Sequence, residues 1–284
     1  MEFSNAQRAQ VLTHALPYIQ KYRDKIIVIK YGGSAMIDEH LKESVMGDAV
    51  LLTLIGVKVV LVHGGGPEIN QMLGKIGKES VFHNGLRVTD KETMDVVQMV
   101  LAGKVNKTLV NHLEQLGASS VGLSGLDGHL LEATSRDEKL GFVGDIKQVH
   151  PQIILDTLEK GYLPVISTVG YDSEGHIYNI NADTAAAEIA AALGAEALIS
   201  MTDIDGILRD KNDPASLIPL IRVDEAEELK KSGILQGGML PKADCCIKAV
   251  QSGVKKVFVL DGRIPHAIII ELLTDEGLGT MFCN

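Results

Sequence analysis

Hydrophobic residues occur along this chain in two patterns that alternate with each other. Short runs of Val, Ile and Leu predict buried strands at residues 26–31, 57–62, 120–123, 163–166, 197–201 and 256–260. Between these runs, apolar positions three and four residues apart predict helices at residues 39–55, 67–76, 90–105, 181–193 and 242–252. Strands that alternate with helices favour an α/β fold, with an open, mainly parallel sheet sandwiched between helices.

Two further features complete this scheme. Residues 130–149 have the pattern of a β-hairpin with Gly141 and Gly144 in its turns, and the chain closes with a short helix and a strand. The placement of the motifs described below predicts two lobes, at residues 26–178 and 179–284. This boundary rests on motif placement alone, because the composition of the chain does not change there.

The N-terminal segment, residues 1–25, is separate from the alternating pattern. Leu12, Leu16 and Ile19 have the spacing of one helix face. Pro17 lies within this stretch and removes one backbone hydrogen bond, so we expect a kinked helix. Such a helix either packs on its own domain or exchanges with another subunit as an oligomerisation arm.

Composition and charge argue against several classes of function. The chain has 284 residues, 45% of them hydrophobic, and its net charge of −10 with scattered lysines and arginines argues against a nucleic-acid partner. Its longest apolar run is far shorter than the roughly 18 residues that a membrane span needs. The first five residues lack the features of a signal peptide. We therefore expect a cytoplasmic enzyme without a membrane partner, in which Cys245, Cys246 and Cys283 stay reduced.

Two glycine-rich turns follow predicted strands, at residues 32–33 and 64–66. Because glycine has no Cβ, backbone N–H groups in such turns can approach and surround an anion. Lys30, just before the first turn, adds a positive charge suited to phosphate. The pair of turns indicates phosphoryl transfer, although the chain contains no Walker-type G-x-x-x-x-G-K-[ST] sequence.

Two polar segments supply candidate binding groups. Arg87, within residues 84–89, is predicted to lie in a short loop, where its planar guanidinium could grip a carboxylate with two hydrogen bonds. Asn179, Asn181 and Asp183 lie where a predicted strand leads into a helix. Asn181 can cap that helix, but two asparagines and an aspartate are more than capping needs.

Two later turns add candidates for nucleotide contact. The segment from Asp203 to Gly206 suits ribose, metal or phosphate contact, although an ordinary Asp-Gly turn would have a similar sequence. Gly237 and Gly238 precede a predicted helix that contains Lys242. A helix N-terminus together with a lysine favours phosphate.

Absent motifs restrict the reaction further. The chain has no Gly-x-Ser-x-Gly elbow and no His-x-x-x-His pair, and we interpret His63, beside the second glycine turn, as structural. A site of lysines and glycine amides without a general base suits an acceptor that is already ionised at neutral pH, such as a carboxylate. Lys30 and Lys242 would neutralise the migrating phosphoryl group from opposite sides, with Asp183 holding both by ion pairing.

These segments together resemble the acetylglutamate kinases, enzymes of the amino acid kinase fold. The resemblance extends from about Tyr18 to Met281 and rests on residues 30–33, 63–66, 84–89, 179–183 and 237–242. It implies transfer of the γ-phosphoryl group of ATP to the side-chain carboxylate of N-acetyl-L-glutamate, giving N-acetyl-L-glutamyl 5-phosphate in arginine biosynthesis. It also implies that Mg²⁺ arrives bound with ATP and that the protein has no metal cage of its own.

The resemblance also implies a role for each matching residue. Three residues would be catalytic: Lys30, Lys242 and Asp183. Four would bind the substrate: Gly65, Gly66, Arg87 and Asn179. Five would bind the nucleotide: Gly32, Gly33, Asp203, Gly206 and Gly238.

At its two ends the chain resembles the arginine-inhibited branch of this family. In that branch a kinked N-terminal helix links dimers into a ring, so we expect a homo-oligomer, either a hexamer built as a trimer of dimers or a dimer. Glu271 and Gly277 would contact arginine. Phe258 departs from the pattern, because many inhibited members have a histidine there and a phenylalanine cannot hydrogen-bond the inhibitor. We therefore expect weakened feedback inhibition by arginine.

Three alternatives stay open. A related kinase acting on glutamate, aspartate or carbamate would share both lysines and the glycine turns but differ around Arg87 and Asn179. An arginine-sensing module without catalysis would not need Lys30, Asp183 and Lys242 together. A nucleotide-binding scaffold that docks a signalling protein is the third alternative, and such docking could also accompany catalysis.

Overall fold

The structure is a computed structural model that describes residues 4–36, 38–210, 212–236 and 239–284. In chain order, the strands of these residues are β1 (Ile26–Tyr31), β2 (Lys58–His63), β3 (Phe82–His83), β4 (Leu86–Arg87), β5 (Ser120–Ser124), β6 (Leu131–Ser135), β7 (Val143–Val149), β8 (Leu163–Ser167), β9 (Val169–Tyr171), β10 (Ile177–Ile180), β11 (Ala197–Thr202), β12 (Leu220–Arg222), β13 (Lys256–Asp261) and β14 (Thr280–Cys283).

Helices connect most of these strands. In chain order they are α1 (Asn5–His14), α2 (Leu16–Tyr22), α3 (Glu39–Leu54), α4 (Gly66–Lys75), α5 (Lys91–Gln98), a π-helical segment (Met99–Val105), α6 (Asn106–Gln115), α7 (Gln152–Glu159), α8 (Ala182–Ala192), α9 (Ala226–Lys231), α10 (Met239–Gln251) and α11 (Ala267–Leu273). The strands and helices predicted from the hydrophobic pattern are confirmed to within a few residues.

The central sheet has eight strands in the order β12-β14-β13-β11-β1-β2-β8-β5. The six strands from β13 to β5 are mutually parallel, whereas β14 is antiparallel to β13. This arrangement confirms the predicted α/β fold with an open, mainly parallel sheet. It also brings the carboxyl ends of β1, β2 and β11 to the same edge, where Lys30 pairs in register with Val62 on one side and Ser200 on the other.

A second, smaller sheet closes on itself through β10, β7, β6 and β9. Its antiparallel β6–β7 pair confirms the hairpin predicted for residues 130–149, with Glu132 opposite Gln148. The prediction that Gly144 lies in a turn is wrong, because Gly144 belongs to β7 and pairs with Ser135. The prediction that Arg87 lies in a loop is wrong, because Arg87 ends the two-residue strand β4 and pairs with Phe82 of β3. A strand of two residues is too short to show an alternating pattern.

Side-chain alternation along β1 assigns its residues to two cores on opposite faces of the sheet. Ile27 and Ile29 face the core that contains residues of α3, α5 and α11. Val28 faces the other core, which contains residues of α8 and α10. Since side chains two residues apart in a strand share a face, Lys30 lies on the side of α8 and α10.

The N-terminal helix is bent as predicted. The helix breaks at Ala15, and Pro17 lies in the first turn of α2, where the missing backbone N–H has no intrahelical partner to lose. The predicted cap of α5 is also confirmed, because Asp90 accepts a hydrogen bond from the Thr93 N–H at 2.8 Å. None of the helices in the described part of the chain is long and apolar enough to cross a lipid bilayer.

Candidate active site

One carboxylate joins two lysines that are far apart in the sequence. Lys30 Nζ lies 2.9 Å from Asp183 Oδ1, and Lys242 Nζ lies 3.3 Å from Asp183 Oδ2. Lys30 also donates a hydrogen bond to the carbonyl of Met201 at 3.3 Å, which ties it to the end of β11. We call Lys30, Asp183 and Lys242 the charged triplet.

Three elements position the charged triplet. Lys30 lies near the end of β1 on the face covered by α8 and α10, and Lys242 is in the first turns of α10. Asp183 lies in the first turn of α8, after Asn181, which caps the helix by accepting a hydrogen bond from the Thr184 N–H at 3.1 Å. The positive end of the α8 dipole favours a carboxylate at this position.

The charge state of Asp183 follows from its neighbours. Burial raises the pKa of the Asp183 carboxyl, but the opposite charges of Lys30 and Lys242 outweigh burial and hold this pKa below its ordinary value. Asp183 is therefore ionised at neutral pH. Exposure decreases from Lys242 to Asp183 to Lys30, whose side chains are 31%, 24% and 9% exposed, so the triplet opens to solvent on the Lys242 side.

The first glycine turn lies between the triplet and the Asp203 loop. A Cβ built on Gly32 would lie 3.0 Å from Lys30 Nζ. Gly33 has a φ of 70°, which disfavours other residues, and a Cβ there would lie 2.5 Å from Asp203 Oδ1. Glycine is thus needed here both for conformation and for close approach. Gly206, at the other end of the Asp203 loop, is buried against Leu217 and Thr280.

The second glycine turn opens α4 and contacts the start of α8. Gly65 precedes the helix, and Gly64 faces Ala182, with 3.4 Å between the Ala182 Cβ and a Cβ built on this glycine. The turn therefore contacts the residue that directly precedes Asp183 in the sequence. Gly237 and Gly238, the third predicted glycine turn, lie outside the described residues.

The second glycine turn also forms one wall of a cavity of about 180 Å³. We call it the Arg87 cavity. All four residues predicted to bind the substrate line it: Gly65, Gly66, Arg87 and Asn179. The structure thus brings together groups that lie up to 114 positions apart in the sequence, from Gly65 to Asn179.

The guanidinium of Arg87 is held in place by three contacts. It donates to Ser80 Oγ at 2.7 Å and to the Gly66 carbonyl at 3.3 Å, and it lies 4.7 Å from the centre of the Phe82 ring. Burial lowers the pKa of Arg87, but a group with an ordinary pKa of 12.5 stays charged at neutral pH. Asn179 donates to Thr89 Oγ1 at 3.3 Å.

A larger cavity of about 880 Å³ lies beside the Arg87 cavity. We call it the Lys242 cavity. Asp183 and Lys242 line it, and it shares Gly85, Leu86 and Asn181 with the Arg87 cavity. The two cavities are therefore contiguous, and Asp183 lies near their junction. A cavity of several hundred Å³ has the size of a small-molecule site.

Three titratable side chains near the carboxyl edge of the sheet are neutral at neutral pH: His63, Cys245 and Cys246. His63 is fully buried, its Nδ1 lies 2.8 Å from the Gly64 carbonyl, and burial lowers its pKa to about 4. This agrees with the interpretation of His63 as structural. Burial raises the pKa of the Cys245 thiol to about 12 and likewise raises that of Cys246, so both thiols are protonated at neutral pH.

Metal ligands and the predicted arginine site remain to be located. Within the described ranges, no three His, Cys, Asp or Glu side chains group together as ligands for a metal ion. The residues predicted to contact arginine lie near each other, since Glu271 Oε2 accepts from the Leu278 N–H at 2.8 Å and both its oxygens are 3.8 Å from a Cβ built on Gly277. Tyr18 of α2 donates to Asp275 of the same region.

Three side chains that contact the site were missed by sequence reasoning: Ser80, Thr89 and Asn106. Ser80 orients Arg87, and Thr89 accepts from Asn179. Asn106 lies 3.2 Å from His63 Nε2. Thr89 was in the Arg87 segment and could have been singled out there, whereas neither Ser80 nor Asn106 lies in a recognisable motif.

Similarity to known proteins agrees with this geometry. The model of the amino acid kinase family matches residues 25–261. A curated acetylglutamate kinase from Synechococcus sp. strain RCC307 is 54% identical, over 96% of this chain and 93% of the relative. Those from Brachyspira hyodysenteriae and Pelotomaculum thermopropionicum are 53% and 50% identical, over 98% and 97% of this chain and of each relative.

Solved structures are similar over nearly the whole chain. The N-acetylglutamate synthase from Neisseria gonorrhoeae, solved with coenzyme A and N-acetyl-glutamate, has a TM-score of 0.83 and 25% identity over 97% of this chain and 63% of that longer chain. The carbamate kinase from Giardia lamblia bound to AMP-PNP has a TM-score of 0.67 and 17% identity over 92% of this chain and 98% of that one. The second likeness shows the fold alone.

We predict that His63 makes the stability of the protein depend on pH. Its pKa of about 4 in the folded protein lies below the ordinary value of 6.5, so between these values the unfolded chain binds more protons. The free energy of unfolding should therefore fall by about 2 kcal/mol from pH 7 to pH 5 through this group alone. Urea denaturation of the wild type and of His63→Asn at both pH values measures the difference.

The exposed His14 provides the matched control for this experiment. His14→Asn should show the same pH dependence as the wild type, whereas His63→Asn should show a smaller one. Equal pH dependence in the wild type and His63→Asn would contradict the prediction.

Proposed function

Because the chain belongs to the amino acid kinase family, as an acetylglutamate kinase that uses ATP to phosphorylate N-acetylglutamate, we propose that the charged triplet is its catalytic centre. The observation that supports this most directly is the double ion pair, in which the two ammonium groups of Lys30 and Lys242 share one carboxylate. The shared carboxylate thereby holds the two positive charges at one place.

In this mechanism a side-chain carboxylate oxygen of N-acetylglutamate attacks the γ-phosphorus of ATP, and the bond from that phosphorus to the bridging oxygen of ADP breaks. The acceptor is already ionised, so no residue has to remove a proton. Two anions must instead be brought together in line, and negative charge on the transferred group must be neutralised. Lys30 and Lys242 supply that positive charge, while Asp183 fixes where their ammonium groups lie.

The Arg87 cavity is the proposed site for N-acetylglutamate. Its volume of about 180 Å³ suits a small amino-acid derivative, and the rigidly held Arg87 guanidinium suits the α-carboxylate. Asn179 and the backbone amides of Gly65 and Gly66 would bind the rest of the molecule. In this arrangement the side-chain carboxylate extends toward Asp183, where the cavities meet.

The nucleotide is proposed to occupy the Lys242 cavity and to contact the turns at residues 32–33 and 203–206. The close approach of Gly33 to Asp203 supports a joint role for the first glycine turn and the Asp203–Gly206 segment. Gly32 and Gly238 complete this group, and Mg²⁺ enters as part of the MgATP substrate. Residues 26–178 then form the lobe that binds the amino acid, and residues 179–284 form the lobe that binds ATP.

Regulation and assembly form a second part of the proposal. Arginine would bind near Glu271 and Gly277, and the contact of Tyr18 with Asp275 supports coupling between that region and the N-terminal arm, residues 1–25. Through this arm the protein would assemble as a hexamer or a dimer, and it would act in the cytoplasm in arginine biosynthesis.

We predict that Lys30→Ala and Lys242→Ala each lower kcat at least ~100-fold, the scale of losing one preorganised charged donor. Formation of the acyl phosphate, trapped with hydroxylamine, measures the rate. Lys255→Ala is the matched control, since Lys255 forms an exposed ion pair with Glu196 at 2.8 Å, and it should leave kcat unchanged. Near-normal turnover in a folded Lys30 or Lys242 variant would rule out the proposed centre.

We also predict that Arg87→Gln raises KM for N-acetylglutamate about 10- to 100-fold, the equivalent of losing a charge-assisted hydrogen bond worth about 1.5–3 kcal/mol. KM for ATP should change little. Arg222→Gln, at an exposed arginine on β12, is the control. An unchanged KM for N-acetylglutamate in Arg87→Gln would place the substrate elsewhere.

Arginine inhibition is tested by measuring turnover at arginine concentrations up to the millimolar range. We expect turnover to fall, and Glu271→Gln to require at least ~10-fold more arginine for the same effect, since a charged partner is lost. The activity of this variant without arginine should match the wild type. A wild-type rate that stays flat across the range would contradict feedback inhibition.

A further inference from the structure

A buried asparagine connects the carboxyl ends of three neighbouring strands. Asn106 Nδ2 lies 2.9 Å from the Val165 carbonyl of β8, 3.2 Å from the Leu123 carbonyl of β5 and 3.2 Å from His63 Nε2 of β2. Asn106 is only 1% exposed to solvent. Since the Val165 and Leu123 carbonyls can only accept, they fix the orientation of the Asn106 amide, with its NH2 group toward them and toward His63.

His63 connects Asn106 to the second glycine turn through hydrogen bonds at its two ring nitrogens. Its Nδ1 lies 2.8 Å from the Gly64 carbonyl, and a carbonyl can only accept, so Nδ1 carries the proton. Nε2 is then an acceptor, as the Asn106 amide requires. Only the neutral Nδ1–H tautomer satisfies both contacts, and burial keeps the imidazole neutral by lowering its pKa. Asn106 therefore fixes His63, and His63 fixes the Gly64 peptide.

The helix that contains Asn106 supports the same turn directly. The π-helical segment Met99–Val105 ends immediately before Asn106. Leu101 from this segment packs so closely on Gly65 that a Cβ there would lie 2.6 Å from Leu101 Cδ2. On the strand side, a Cβ on Gly122 would overlap Asn106 Oδ1. The π-helical segment, the side-chain amide of Asn106 and the second glycine turn are therefore closely packed.

We infer that Asn106 and His63 are positioning residues, which hold the Gly64-Gly65-Gly66 turn so that the backbone amides of Gly65 and Gly66 point at the bound substrate. The inference rests on the proposed function of this turn. Neither side chain is among the described residues that line the Arg87 cavity, so both act through the glycine backbone. A pair that served only to fill the core would instead affect stability without affecting the kinetics of the folded enzyme.

Variants of His63 can remove its contact with the Gly64 carbonyl and its contact with Asn106 one at a time. The amide of His63→Asn can reach the place of Nδ1 and donate to the Gly64 carbonyl, whereas the longer side chain of His63→Gln reaches toward Asn106 and leaves that carbonyl without its donor. We expect His63→Gln and Asn106→Leu to lower kcat/KM for N-acetylglutamate at least ~10-fold, the equivalent of about 1.4 kcal/mol, with KM for ATP unchanged. His63→Asn should recover most of this loss.

Ser167→Ala is the matched control. Ser167 is fully buried at the end of β8 and pairs in register with His63, but its hydroxyl donates to the Leu123 carbonyl at 3.4 Å and not to the imidazole. Its loss should lower stability and leave kcat/KM unchanged. Folded His63→Gln and Asn106→Leu variants with wild-type kinetics would overturn the inference while leaving the proposed function intact. A wild-type enzyme that forms no acyl phosphate would overturn both.

The tautomer provides a test that requires no variant. In the wild-type protein labelled with ¹⁵N-histidine, NMR should show His63 as the neutral Nδ1–H tautomer from pH 8 to pH 6. An Nε2–H tautomer or a protonated ring in this range would overturn the inference even if the variants failed to fold.

Discussion

The carboxylate of Asp183 between two ammonium groups is the interaction on which the site depends. A buried carboxylate alone is unfavourable, and two lysines held close together without it would repel each other. Each member of the charged triplet therefore stabilises the position of the others, and together they connect β1, α8 and α10. Positive charge is thus concentrated at one edge of a protein whose net charge is −10.

The parallel sheet explains why so many functional groups meet at this edge. Parallel strands place their carboxyl ends together, and in open sheets of this kind ligands bind outside those ends. The turns after β1, β2 and β11 all lie there, and their glycines let backbone and ligand approach closely. The side chain of Asn106 contacts the same edge through the Val165 carbonyl, the Leu123 carbonyl and His63 Nε2.

The sequence predicted the regular part of this architecture because buried parallel strands read as continuous apolar runs. It also singled out the turns, since glycine after such a run is a strong local signal. It could not reveal β3, β4 or β9, which are too short to show a period, or the π-helical segment, whose apolar spacing resembles that of an α-helix. The contact of Ser80 with Arg87 depends on tertiary packing and has no local signature.

The two cysteines of α10 have a chemical consequence for the enzyme. Cys245 and Cys246 line a small cleft together with Lys30, Asp183 and Lys242, yet both thiols are held in the protonated form. Only a thiolate attacks alkylating agents or peroxide at an appreciable rate. At neutral pH these two thiols should therefore react with peroxide or alkylating agents far more slowly than an ionised cysteine would.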